Sequence, residues 1–167
     1  MRLTPEAKKE RLLADLAVAR HEILTAARDL PSAERNTVFL GTWSAHDIVA
    51  HLAGWDQANC EAIDAIRAGR LPAFYARYDR DWHTFNAELV ARHRQATLEE
   101  TAAVAEASHL ALMATLAEVP AEDLLRDDGL RSPGNRRVTI PMLLAVEARD
   151  ERKHAEQIQE FSASHKT

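Results

Sequence analysis

Apolar residues recur at helical spacing along most of the chain. After Trp43, one face of a helix carries Ile48, Leu52, Trp55, Ala62 and Ile66. Similar stripes, separated by proline, glycine and polar clusters, divide the sequence into four long helices and one short helix. The predicted helices span about residues 4–29, 44–68, 81–95, 97–119 and 139–161. The pattern therefore predicts an all-α fold.

Helix ends and connectors refine this prediction. Ser44 with Asp47, and Thr97 with Glu100, have the spacing of capping boxes, which mark helix starts. Residues 70–79 form a connector that is too polar and irregular to belong to the core, and 121–138 form a loop or loose hairpin. Because both connectors are long, we expect a four-helix bundle with crossover connections plus one short extra helix, in a single domain over 1–167.

Composition and charge limit the function classes. The chain has 167 residues, 46% of them hydrophobic, and a net charge of −5 with both signs interleaved. The lack of a basic block predicts that neither nucleic acid nor an anionic membrane is a partner. No apolar run reaches the ~20 residues of a membrane span, and the N-terminus is not a signal peptide. With Cys60 as its single cysteine, the chain is expected to be cytoplasmic and free of internal disulfides.

Histidine and acidic residues lie where an apolar core is expected. His51 falls within the apolar stripe of the second helix, and an unpaired buried polar group costs roughly 1–3 kcal/mol. One face of the last helix carries Leu143, Glu147, Asp150, His154, Ile158 and Phe161. Two acids and a histidine between apolar ends indicate chemistry, since a passive core would not contain them.

This constellation has the spacing of a metal site. Asp150 and His154 are four residues apart, so both side chains can bind one ion. His51 supplies a third ligand if the two helices pack face to face. Three protein ligands leave an open position, which is typical of catalytic metal sites. Glu147, one turn before Asp150, is the candidate catalytic base, an outer partner of the ligands, or an alternative ligand.

Two motifs resemble a known family. The run Trp43-Ser-x-x-Asp47-x-x-x-His51-Leu-Ala-Gly-Trp-Asp56, with His-Ala-Glu-Gln-Ile at 154–158, is similar to the DinB-like superfamily, nearest to its DfsB/ClbS-type branch, over nearly the whole chain. The resemblance implies a four-helix bundle, often dimeric. It also implies a divalent metal held by one histidine of the second helix and a His-x-x-x-His pair on the last. His51 and His154 match this pattern, whereas Asp150 replaces the first histidine of the pair. The site is then either a two-histidine, one-carboxylate centre or one whose metal affinity is reduced or lost.

Members of this family include thiol-dependent transferases and isomerases, and a hydrolase that disarms a genotoxin. The resemblance therefore implies hydrolysis of, or thiol transfer to, a small electrophilic metabolite or toxin. Zn or Ni, or else Fe, would be the divalent metal, and a low-molecular-weight thiol would be the co-substrate for transfer. A homodimer is expected.

Two other functions compete with this one. The first is a non-enzymatic bundle that sequesters a small hydrophobic molecule and uses the polar cluster for specificity. The second is a di-iron carboxylate protein, because two helices carry Glu-x-x-His pairs. Its candidate ligands are Glu22, Glu61, Glu106, His109, Glu151 and His154. The di-iron arrangement leaves His51 without a role.

Overall fold

The computed structural model describes residues 3–78 and 80–164, except for the side chain of Tyr78, so Asp79 of the predicted connector lies outside it. The described residues form seven helices and no strand. They are α1 (Pro5–Arg28), α2 (Ala45–Arg67), α3 (Tyr75–Tyr78), α4 (Trp82–His93), α5 (Leu98–Glu118), α6 (Ala121–Leu125) and α7 (Ile140–Ser164). Among these helices, none is both long and apolar enough to cross a lipid bilayer.

The helix starts follow the capping signals of the sequence. Both predicted capping boxes form, with Ser44 and Asp47 at α2 and with Thr97 and Glu100 at α5. The backbone N–H of Met142 donates to the Thr139 hydroxyl at 3.3 Å. Because each cap satisfies a backbone N–H that has no partner within its helix, the four long helices begin within a residue or two of their predicted positions.

The connections cross over, as predicted. The first and last helices, α1 and α7, pack side by side, and α2 packs against α5. Arg152 of α7 forms an ion pair with Asp15 of α1 at 2.5 Å. The shorter α4 packs against α2. The predicted four-helix bundle with crossover connections is therefore confirmed.

The interior consists of two apolar clusters with a polar layer between them. The first cluster includes Ile23, Ile48, Leu52, Ala102, Ile158 and Phe161. The second includes Leu16, Ile63, Leu112, Leu116, Ile140 and Leu144. The polar layer, between these positions on all four long helices, consists of Arg20, Asp56, Asn59, Ser108, Glu147 and Glu151. The two apolar clusters supply most of the free energy gained by burial, and the polar layer places charged side chains halfway along the bundle axis.

Two parts of the chain differ from the sequence prediction. The connector is not too polar for the core, because Tyr75 is buried and Phe74 packs against the second cluster. Two short helices, α3 and α6, were not predicted. A helix of four or five residues is too short to show a periodic apolar stripe, so its packing decides its conformation. The predicted loose hairpin forms through an antiparallel bridge between Arg131 and Arg137.

Gly54 sets the distance between α2 and α4. A Cβ atom at this position would lie 2.6 Å from the Cβ of Leu89. Gly54→Ala forces α4 away from α2, and we expect it to lower the free energy of unfolding by ~1–2 kcal/mol even though alanine favours helix. Urea denaturation measures this difference. Gly134→Ala is the control, since the nearest atom to its added Cβ is 3.9 Å away, and an equal effect of both changes would contradict the close approach.

Candidate metal centre and the polar layer beside it

His51 lies on the buried side of α2, and only 4% of the residue is exposed. The indole ring of Trp43 lies 4.8 Å from its imidazole, between ring centroids, and the indole of Trp55 lies 6.2 Å away. Its Nδ1 is buried without a hydrogen-bond partner among the described residues. The histidine therefore has aromatic walls on two sides and an unsatisfied nitrogen.

The last helix brings the other two predicted ligands to His51. Oδ2 of Asp150 lies 3.8 Å from His51 Nε2 and 3.5 Å from His154 Nε2. The two imidazole rings are 5.8 Å apart and nearly perpendicular, at 88°. One ligand atom from each of the three residues lies within 4.8 Å of the others. The structure thus places His51, Asp150 and His154 around one point, as the sequence predicts.

Gln157 determines which nitrogen of His154 faces that point. Its amide oxygen lies 2.7 Å from His154 Nδ1. Because this oxygen can only accept, Nδ1 carries the proton, and in the neutral ring Nε2 presents a lone pair to the Asp150 carboxylate. Two acceptors that face each other need a cation or a proton between them. Sequence reasoning missed Gln157, although its spacing of three residues from His154 on the same helix was the available signal.

The protonation of His51 and Asp150 suits a cation. Burial lowers the pKa of His51, and the neighbouring His154 lowers it further, against the opposite effect of Asp150. His51 is therefore a neutral imidazole at pH 7. Burial raises the pKa of Asp150, but the imidazoles of His154 and His51, whose Nε2 atoms lie 3.5 and 3.8 Å from Oδ2, outweigh this effect and hold that pKa well below its usual value. A neutral imidazole and a carboxylate are the forms that bind metal ions.

The polar layer centres on Arg20, which is 3% exposed. Its guanidinium donates to Asp56 at 2.8 and 2.9 Å. It also donates to Glu151 at 2.6 Å and to the backbone carbonyl of Ala105 at 2.9 Å. Ser108 adds a hydrogen bond to Asp56 at 2.5 Å. One buried cation therefore joins α1 to α2, α5 and α7.

Glu147 lies in this layer. The Asn59 amide donates to its Oε2 at 2.5 Å, and its Oε1 lies 3.8 Å from Arg20. Burial, then the nearby carboxylates of Asp56 and Glu151, raise the pKa of Glu147 well above its usual value. Its carboxyl group thus has partners of its own in the layer. The assignment of Glu147 as a catalytic base stays a prediction.

Sequence reasoning missed the layer as a unit. Arg20 follows Leu16 and Ala19 and precedes Ile23, so it stands within the apolar stripe of α1. An arginine inside such a stripe predicts a buried acidic partner, by the argument that singled out His51. The sequence does not show which of several acidic residues pairs with Arg20.

Three of the glutamates that a di-iron site would need lie at the protein surface. Glu22, Glu61 and Glu106 are exposed. Glu106 pairs with Arg28 at 2.9 Å, and Glu61 accepts from Gln57 at 3.4 Å. These carboxylates do not converge on a common point inside the bundle, as a di-iron centre requires.

Removal of the Arg20 charge should destabilise the fold strongly. Arg20→Met leaves two hydrogen-bonded carboxylates without their cation, and we expect a loss of ~3–5 kcal/mol in the free energy of unfolding at pH 7. Arg28→Met is the matched control, since Arg28 and Glu106 are 43% and 47% exposed, and it should cost at most ~1 kcal/mol. Chemical denaturation of both variants gives the comparison. Similar losses would mean that the layer is not a stabilising ion-pair network.

Glu147 should make stability depend on pH. Its raised pKa means that the folded chain binds a proton that the unfolded chain releases, so stability is highest below the unfolded pKa of about 4.3 and falls as pH rises toward the folded value. Glu147→Gln removes this titrating carboxyl group. The free energy of unfolding of the variant should therefore fall less than that of the wild type between about pH 5 and 8. Urea titrations across this range test the slope. Glu156→Gln, at an exposed position of the same helix, should leave the slope unchanged, and parallel curves for Glu147→Gln and wild type would refute the assignment.

Solved structures share this fold at low sequence identity. A Streptococcus pneumoniae protein superposes with a TM-score of 0.74 at 12% identity, covering 92% of this chain and 89% of its own. The colibactin self-resistance protein ClbS, solved in complex with double-stranded DNA, has a TM-score of 0.73 at 13% identity and covers 91% of this chain and 93% of its own. No curated protein sequence matches the chain.

The ClbS complex corrects one prediction. The sequence predicted that nucleic acid is not a partner, and this exclusion is wrong, because a relative with this fold is bound to double-stranded DNA. The lack of a basic run is weak evidence, since folding gathers arginines that are distant in sequence. Arg67 ends α2 and Arg70 follows it, and both lie at the same end of the bundle as Arg131 and Arg137, because α2 and α7 run antiparallel.

The family of the chain follows from its sequence. A family model described as the DinB superfamily matches residues 15–158. The match runs from α1 to the last turns of α7 and includes all three residues around the candidate metal centre. The chain belongs to the DinB superfamily.

Proposed function

We propose that the chain is a metal-dependent enzyme that acts on a small electrophilic molecule by hydrolysis or thiol transfer. His51, Asp150 and His154 would hold one divalent ion, with Zn or Ni as the first candidates and Fe as the third. The observation that carries the proposal is the convergence of these three side chains, each of which offers one ligand atom within 4.8 Å of the others. In the neutral His154 ring, Nε2 and the Asp150 carboxylate are both acceptors, so a cation or a proton must lie between them.

The residues present fit such an ion. His51 directs its Nε2 toward Asp150, and the Gln157 bond fixes the His154 ring so that its Nε2 also faces that carboxylate. Two imidazoles and a carboxylate suit Zn, Ni and Fe better than Mg or Ca, which prefer oxygen ligands.

The surroundings give the site a closed side and an open side. Trp43 and Trp55 line the His51 ring and exclude water from it. Asp150 is 53% exposed at its side chain, so a substrate reaches the centre along that edge of α7. When bound there, a divalent ion would supply a nucleophile at neutral pH by lowering the pKa of a water molecule or a thiol.

Two findings support a small reactive substrate. One solved structure with this fold is that of a protein named for self-resistance to colibactin. The aromatic side chains around His51 suit an organic substrate better than a small inorganic one.

Metal content tests the proposal directly. Protein purified without an affinity tag should contain close to one equivalent of Zn, Ni or Fe by elemental analysis. His154→Ala should lose the metal and keep its helical circular dichroism, because the residue lies at the edge of the core, whereas exposed His83→Ala should retain the metal. Gln157→Ala should weaken metal affinity by about 10- to 100-fold, since it frees the His154 ring.

Activity is then measured on metal-loaded protein with a small epoxide, alone and with a low-molecular-weight thiol. Diol formation identifies a hydrolase, and thiol consumption identifies a transferase. Absence of metal from wild-type protein, even after incubation with each ion, would refute the proposed metal-dependent activity. That result would favour the non-enzymatic binding protein.

A further inference from the structure

A second candidate site lies beside α2, away from the three metal-binding side chains. It is a cleft of about 220 Å³ between α2, the connector at 72–74, and α4. The residues that matter for its chemistry are Ala58, Phe74, Arg77, Phe85, Glu88 and Arg92. The α2 lining runs from Gly54 to Ala62, so the cleft begins about one helical turn beyond His51, and Trp55 stands between the two.

The cleft has aromatic walls. Phe74 and Phe85 both line it, and the ring of each lies 5.4 Å from that of Trp55. The Arg77 guanidinium lies 5.7 Å from the centroid of the Phe85 ring. The Trp55 indole N–H donates to Asn86 at 3.0 Å, which fixes the ring between the cleft and His51. These flat groups favour a planar apolar ligand, which can pack edge-to-face or offset against them.

The charged side chains at the rim of the cleft determine which charge a bound ligand should carry. Arg77 and Glu88 neutralise each other through two hydrogen bonds of 2.8 and 2.7 Å. Glu61 accepts a hydrogen bond from Gln57. For Arg92, by contrast, the described residues provide no carboxylate within ion-pair distance. Arg92 and Glu61 are therefore the lining charges without an ion pair among the described residues, and they lie at opposite ends of the cleft, because α2 and α4 run antiparallel. At the Arg92 end, the charge offered to a bound molecule is positive.

We propose that this cleft binds a small planar organic anion, with its apolar body against Phe74 and Phe85 and its anionic group on Arg92. The site is distinct from the metal centre and does not depend on metal binding. The small volume limits the ligand to about the size of a bicyclic ring, below the ~300 Å³ of most ligand pockets. Trp55, which contacts both phenylalanines, is a built-in reporter of occupancy.

Three probes of nearly equal shape test the charge preference: 2-naphthoate, neutral 2-naphthamide and cationic 2-naphthamidine. Each is titrated into ¹⁵N-labelled protein, and the indole N–H resonance of Trp55, assigned with Trp55→Phe, is followed. The resonance should shift on binding, and naphthoate should bind about fivefold more tightly than naphthamide, as expected for one exposed ion pair. Naphthamidine should bind most weakly.

Two variants and a control locate the site. Arg92→Gln should make naphthoate and naphthamide bind equally, while Arg67→Gln, outside the cleft, should keep the fivefold preference. Ala58→Phe should fill the cleft and abolish the Trp55 shift with all probes. Equal binding of the three probes to wild type, or an unchanged preference in Arg92→Gln, would overturn the proposal. Since Arg92 is exposed, that variant folds even if Ala58→Phe does not.

Discussion

The buried guanidinium of Arg20 is the interaction on which the rest of the structure depends. It meets a carboxylate from α2, a carboxylate from α7 and a carbonyl from α5, all at one height in the bundle. A shift of any helix by one turn, about 5.4 Å, would leave a buried charge unpaired at a cost of several kcal/mol. The apolar halves above and below offer no such penalty, because leucine and isoleucine contacts re-form in several registers. We infer that the layer fixes the register.

That register also assembles the candidate metal centre. Asp56 stands five residues after His51 on α2, and Glu151 stands three residues before His154 on α7. Since the two helices run antiparallel, joining Asp56 and Glu151 to one arginine brings His51 level with His154. Buried polar groups are expensive to place in a core, and here they bring the candidate ligands His51 and His154 within reach of each other.

The helices and the three converging residues could be predicted from sequence because both rest on local spacing. Capping boxes and the 3.6-residue period fix where a helix starts and which residues share a face, and the four-residue spacing already puts half-exposed Asp150 next to buried His154. The choice among acidic partners for Arg20 is a long-range question that no local pattern answers. Burial of Tyr75 likewise depends on contacts between distant segments, so a polar connector gave no signal for it.

Asp150 in place of a histidine changes the charge of the centre more than its geometry. Three neutral histidines would leave the full charge of a divalent ion uncompensated in a half-buried site, whereas one carboxylate halves it. The neighbouring layer adds little to this charge, because Arg20 pairs with Asp56 and Glu151, while the raised pKa of Glu147 favours its protonated form. The carboxylate of Asp150 would therefore be the main negative charge offered to a cation between His51 and His154. Aspartate at this position thus suits the proposed divalent ion, which would be a milder electrophile there than in a three-histidine site.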